Sequence, residues 1–367
     1  MVEFLIHLVR TAGFEAGFFR LFNYLSFRVI MAALTALLLV ILLGHRMIVA
    51  LYRARFRDFG GDHRSLRTDS KRGTPTAGGL VILLGFMVSL VLWGNWRNPF
   101  LLAVVAAAAY FGLVGLFDDW LKVRLKSSLY GLGEAAKTIL QLAWIVPFAW
   151  WLTGSESPLP SALRATFLFP FARHVAWEVG PLLFGAFVVV AFYAMVNAVN
   201  ITDGLDGLVT GPSVLAASLY GIFAFVLGSE SLSRFLLFQR IPGANELAVC
   251  AAALVGALAG YLWFNAYPAE VMMGDTGSLA VGAVLAALAF LTRQEMLFPV
   301  VGGVFVASIA TSLVQKIGDR LGRRIFLRAP VHHGFAHRGI AEPKVVIRYW
   351  IVSVILTLVA ALSLKLR

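Results

Sequence analysis

The chain alternates long apolar stretches with polar connections, and that alternation limits its fold more than any other feature. About ten stretches lie near residues 22–44, 76–94, 100–117, 138–153, 181–200, 208–228, 247–264, 278–292, 298–316 and 345–363. Each approaches the roughly 20 residues that a helix needs to cross a bilayer. Backbone polar groups in hydrocarbon must be satisfied within the segment, so these stretches read as helices. With 60% hydrophobic and 14% charged residues over 367 positions, a soluble domain of this length is excluded. The expectation is a single all-α integral membrane domain of about ten transmembrane helices, undivided by internal repeats or low-complexity tracts. Residues 1–21 space Glu3, Arg10, Glu15 and Arg20 among Phe, Leu and Ile. They lack the ordered regions of a cleavable signal and read as an interfacial segment. Cys250 is the single cysteine, so no intrachain disulfide forms.

Charge orients the bundle. One set of connections holds eight Lys or Arg between Arg46 and Arg72, then Lys122, Arg124, Lys126 and Lys137, then eight more from Lys316 to Arg348; the other side has 11. The richer set belongs in the cytoplasm, which leaves both termini outside. All nine aspartates fall on that same side, whereas the carboxylates assigned outside are all Glu. The net charge of +12 therefore reports topology and anionic lipid rather than nucleic acid. The outer loop 154–180, rich in Pro, Ser and aromatics, reads as a cover.

Five inner connections carry unusual chemistry. Asn197-Ala-Val-Asn200-Ile-Thr202-Asp203-Gly204-Leu205-Asp206-Gly207-Leu208 places two carboxylates among glycines and amides. Such a segment suits close backbone approach to an anion, or simply caps its neighbouring helices. Asp118-Asp119 closes the third span, followed by Lys122. Adjacent carboxylates repel; a divalent cation with hard oxygen ligands relieves that, as do neighbouring lysines at a solvated helix end. Asp275, between Gly274 and Thr276, either caps the eighth span or offers a ligand to a metal. Lys71-Arg72-Gly73-Thr74-Pro75-Thr76 joins a basic pair to a glycine-rich helix entry, suited to phosphate or to a stop-transfer flank. The loop 317–344 holds three of seven histidines, His332, His333 and His337, which suit metal, phosphate or sugar contacts, or plain solvation. No nucleotide P-loop or Rossmann fingerprint occurs. Together these groups suit metal-assisted phosphoryl chemistry on a lipid phosphate.

At these same residues the chain resembles the phospho-N-acetylmuramoyl-pentapeptide transferases, within the polyprenyl-phosphate N-acetylhexosamine-1-phosphate transferases. The matching motifs are SKRGTPTAGG at 70–79, FDDWLK at 117–122, NAVNITDGLDGL at 197–208, NAYPAEVMMGDTGS at 265–278, APVHHGF at 329–335 and EPKVVIRYW at 342–350. The resemblance implies a ten-helix inner-membrane homodimer with a cytoplasmic cleft and periplasmic termini. It implies transfer of phospho-MurNAc-pentapeptide from UDP-MurNAc-pentapeptide to undecaprenyl phosphate, giving lipid I and UMP, with Mg²⁺. On that pattern Asp118, Asp119, Asp275 and His332 are the catalytic set, and the three aspartates also form the metal set. Lys71, Thr76, Lys137, Asn197, Asn200, Asp203, Gly204, Leu205, Asp206, Asn265, Met272 and His333 line the substrate site. The chain departs from the family pattern at Gly334 and Ala336, where a third histidine and a glutamate are usual, and at Met272, where an aromatic is common.

Two chemical routes fit: direct in-line displacement, or two displacements through an aspartyl-phosphate. A related transferase using another UDP-N-acetylhexosamine is the neighbouring alternative. A secondary transporter is the rival of another class, but transporters place ionisable groups near the midplane at helices related by repeats. Here the carboxylates gather at helix ends on one side.

Overall fold

The computed structural model describes residues 21–56, 73–125, 131–171 and 176–365. Lys71, and the interfacial segment apart from Leu21, lie outside them. The long helices are α1 (Leu25–Arg53), α2 (Gly79–Trp93), α3 (Pro99–Arg124), α4 (Glu134–Thr153), α5 (Pro181–Thr202) and α6 (Thr210–Gly228). After the short α7 (Glu230–Phe235) come α8 (Asn245–Asn265) and α9 (Gly274–Leu291). Then follow α10 (Phe298–Val301), α11 (Gly303–Arg320), α12 (Val331–His337) and α13 (Glu342–Ala361). Among the described residues, eight helices are long and apolar enough to cross a membrane. The chain is thus a helical, multi-pass membrane protein, and the described residues add one antiparallel strand pair, β1 (Thr166–Leu168) and β2 (Ala176–Glu178), in the loop read as a cover.

Two expected spans differ from that pattern. The 76–94 segment forms only the 15-residue α2. The 298–316 segment is a broken pair, α10 and α11, bent by 84°. Gly302 and Gly303 stand at the break, where the helix has little to lose in rigidity. Beyond the bend, α11 exposes Leu313 and Ile317 beside Gln315, Lys316 and Arg320, a mixture that suits an interface better than a lipid core.

Other boundaries move in a way that matters for the site. Helix α3 runs seven residues beyond its expected end at 117, so Asp118, Asp119 and Lys122 share helical turns. Pro99 at its first turn and an Asn98 side chain accepting from Phe100 N–H at 2.8 Å fix its start. Helix α9 begins at Gly274 rather than 278, which puts Asp275 in its first turn. A carboxylate is favoured there by the helix's positive end.

Helix α9 is the axis of the fold: every residue from Thr276 to Leu291 is buried. It packs against α2, α3, α5 and α6. Small residues make that possible, because without a water-driven hydrophobic force membrane helices associate through close packing. Gly79 meets the backbone of Thr276 and Gly277, and Gly115 meets that of Asp275, so neither position has room for a Cβ. These contacts draw the starts of α2 and α9 and the end of α3 to one point. At the other end of the bundle, Arg28 forks onto Glu246 at 2.6 and 2.7 Å and joins α1 to α8. Buried Arg293, paired with Glu295, anchors the segment around β1 by donating to the carbonyls of Leu163 and Thr166.

Candidate active site

Four helices bring charged or polar groups to the N-terminal end of α9. From α3, Asp118 accepts from Leu132 N–H at 2.7 Å, and its Oδ2 has the Lys122 ammonium at 2.6 Å. From α9, Asp275 receives three donors. Lys122 reaches its Oδ2 at 2.8 Å, Lys137 of α4 reaches the same atom at 2.7 Å, and Asn200 of α5 donates to Oδ1 at 2.7 Å. The Asn200 amide also bonds Ser278 Oγ at 2.7 Å, which fixes its orientation. Lys122 follows Asp118 by four residues and Asp119 by three, a spacing that puts all three on one helical face.

The adjacent aspartates do different things. Asp119 is 1% exposed, and three donors of α9's first turn engage its carboxylate. Asp275 N–H is at 3.1 Å, Thr276 N–H at 3.0 Å and the Thr276 hydroxyl at 2.6 Å. The cap of α9 therefore comes from α3, and Asp275, which the sequence offers as a cap, is free to face the lysines. Gly274, at φ +68°, leaves no room for a side chain between Asp119, Ala77 and Thr76. That contact brings Thr76 to the same place.

Oxygen atoms of Asp118, Asp119 and Asp275 lie within 4.8 Å of one another. A set of hard carboxylate oxygens suits Mg²⁺, so the residues present fit such an ion. Asp118 and Asp275 suit it best, since both Asp119 oxygens already accept from α9.

A second group of expected residues surrounds the loop after α5. Gly204 lies against α12: a Cβ there would be 2.6 Å from Nε2 of His332 and 2.9 Å from Nε2 of His333. His332 is fully buried, and among the described residues neither ring nitrogen has a hydrogen-bond partner. Burial, helped by His333, holds its imidazole down at about 3, so it is neutral at physiological pH. Its ring lies 4.4 Å from that of His333, centroid to centroid.

Asn265, at the end of α8, accepts from Gly207 N–H at 3.0 Å and Thr210 Oγ at 3.3 Å, and donates to Val271 O at 3.0 Å. Asp206 accepts from Ala269 N–H at 3.1 Å, and Leu205 is buried beside it. The backbone of half-buried Met272 bonds Pro75 O and Gly78 N–H, tying the Thr76 segment to the start of α9. Asn197 sits one turn before Asn200 and exchanges amide bonds with Gln141 at 2.7 and 3.3 Å. It supports the junction of α4 and α5 rather than meeting Asp275. Lys122 and Thr276 are missed as site residues by the sequence reading. The i+4 spacing to Asp118 is a signal for the first, whereas nothing local announces the second.

A family model described as Glycosyl transferase family 4 matches residues 101–293, from α3 through the end of α9. Two phospho-N-acetylmuramoyl-pentapeptide-transferases, from Citrifermentans bemidjiense and Geobacter sp. strain M21, are each 40% identical over 374 residues. The match covers 99% of this chain and 100% of either relative. The chain belongs to the phospho-N-acetylmuramoyl-pentapeptide-transferase family. Family membership makes it a transferase, and the matched region includes Asp118, Asp119, Lys122, Lys137, Asn200 and Asp275. Thr76, His332 and His333 lie outside that region, but within the full-length similarity of the family relatives.

Proposed function

We propose that the chain transfers phospho-MurNAc-pentapeptide from UDP-MurNAc-pentapeptide to undecaprenyl phosphate, forming lipid I and UMP. The reaction takes place at the cytoplasmic face of a bacterial inner membrane. In this reading the bundle has ten membrane passages, both termini are periplasmic, and the protein works as a homodimer. One observation carries the reading: in a chain similar end to end to named transferases of this kind, Asp118, Asp275, Lys122 and Lys137 meet at a single point. A diphosphate donor calls for that mixture of carboxylates and cations, whereas a transporter has no need of it at a helix end.

In the proposed chemistry, an oxygen of the lipid phosphate attacks the sugar-linked phosphorus while the bond to UMP breaks. Asp118, beside Lys122, orients or deprotonates that oxygen. Lys122 and Lys137 balance negative charge that builds on the departing UMP. Asn200 holds the Asp275 carboxylate in one orientation, and Asp119 holds the backbone beneath it. Asp118 and Asp275 would hold a Mg²⁺, which would supply Lewis-acid neutralisation of the diphosphate. The loop from Asp203 to Gly207, with Asn265, Met272 and His333, receives the nucleoside and diphosphate. His332, being neutral, serves as a hydrogen-bonding group rather than as a cation.

The test is Mg²⁺-dependent UMP release by purified protein given undecaprenyl phosphate and each UDP-sugar in turn. Release from UDP-MurNAc-pentapeptide is expected. Turnover of UDP-GlcNAc alone would overturn the donor assignment, a question raised by Gly334 and Ala336. Exchange of labelled UMP into the donor without lipid acceptor would favour the aspartyl-phosphate route.

A further inference from the structure

The last transmembrane helix touches the loop that begins at Asp203, although more than 130 residues separate them in sequence. Glu342, in the first turn of α13, is 3% exposed, and its Oε1 accepts from Asp206 N–H at 2.9 Å. Two turns further on, Trp350 Nε1 donates to Gly207 O at 3.1 Å. Its indole fills the space where Gly211 would carry a Cβ. Just ahead of α13, His332 and His333 of α12 lie against Gly204. The other side of the loop is held by Asn265 on Gly207 N–H and by Ala269 N–H on Asp206. Consecutive peptide units at 206 and 207 are therefore gripped from two directions, in a segment whose glycines resist no deformation themselves. Gly207, at φ +75°, adopts a backbone conformation costly for other residues.

We propose that Glu342 and Trp350 are positioning residues for the donor site: α12 and α13 form one clamp that sets the shape of the 203–207 loop. This rests on the reading that the loop holds the UDP end of the donor. The clamp touches neither Asp118 nor Asp275 directly, so it governs donor binding more than the chemical step. A buried N–H left without its acceptor makes the loop adopt other conformations, and only the gripped one binds.

The experiment measures the full-length protein in detergent, comparing wild type with Glu342→Leu, Glu342→Gln and Trp350→Phe. Glu342→Leu removes the acceptor for Asp206 N–H. It is expected to raise KM for the UDP-sugar donor about tenfold and to leave kcat and KM for undecaprenyl phosphate within about threefold. Glu342→Gln keeps a carbonyl oxygen in place and recovers most of the donor affinity. Trp350→Phe keeps the ring against Gly211 but loses the bond to Gly207 O, and it shifts donor KM in the same direction by a smaller factor. UMP binding by calorimetry follows the same order in all four proteins, independently of turnover.

Unchanged donor KM and UMP affinity in a folded Glu342→Leu protein would overturn the clamp. So would a fall in kcat alone, or a Gln variant as weak as the Leu variant. Failure of the wild type to use the donor in the presence of normal UMP binding would count against the functional reading, while the UMP ranking would still decide the clamp. If Glu342→Leu does not fold, Trp350→Phe carries the decision.

Discussion

Asp119→Ala separates the two adjacent aspartates. The substitution removes the acceptor of Asp275 N–H, Thr276 N–H and the Thr276 hydroxyl. The hydroxyl can turn back onto its own helix, as threonines do, so it is left out of the sum. The two peptide N–H groups have no such choice, since the first turn of a helix has no internal acceptors. Leaving a buried donor unpaired costs about 1–3 kcal/mol. Thr276 is fully buried and Asp275 half-buried, so a loss of about 3 kcal/mol is expected in total. Asp118→Ala costs less, about 1 kcal/mol, because Leu132 N–H is partly exposed and Lys122 keeps Asp275 as a partner. Apparent melting temperature in one detergent at one scan rate is the assay. Asp119→Ala should melt roughly 5 °C or more below wild type, Asp118→Ala within about 3 °C, and Asp119→Asn between them. Both alanine variants should lose turnover. Equal melting of Asp119→Ala and wild type, or a larger loss for Asp118→Ala, would refute the assignment of Asp119 as the cap of α9.

Asp275→Ala should lower kcat by about a thousandfold or more while the protein stays folded, because the carboxylate stands at the partly open side of the cluster. Substantial Mg²⁺-dependent UMP release by the purified variant would remove Asp275 from the chemistry. Arg293→Met strands Glu295, which is 3% exposed, and frees the carbonyls of Leu163 and Thr166. A loss of about 3–5 kcal/mol and faster proteolysis within 154–180 are expected, and an unchanged digestion pattern would contradict the anchor. His332 has a folded-state value of about 3 against an ordinary 6.5, so the unfolded chain binds the extra proton between those limits. Its contribution to stability is complete above pH 6.5 and is lost as pH falls from there towards 3. Melting profiles of wild type and His332→Gln should diverge across that window, and parallel profiles would refute the buried, neutral imidazole.

How much of this was open to sequence reasoning follows from the range of each interaction. Apolar length is a local property, so the helices and their order can be read directly; even α4, interrupted by Pro147, remains a single helix. The bend at Gly302 depends on what α10 and α11 pack against, and a run of apolar residues does not record that. At the site, residue type identified Asp118 and Asp275 as chemistry-bearing and the family resemblance added Lys137, but what Asp275 does is decided by partners 138 and 153 residues away. Asp118 and Asp119 are chemically identical neighbours, and in a sequence they read as a pair. A helix turns about 100° per residue, so adjacent side chains leave it in different directions and take different closest partners. One meets lysines and the other meets the start of α9. The general point is that neighbouring carboxylates on a helix should be expected to divide their roles, and the useful question is which of them meets a helix terminus. In this fold Gly79, Gly115 and Gly274 answer it, because the absence of side chains there lets α2, α3 and α9 close around Asp119 and leaves Asp118 and Asp275 facing the lysines.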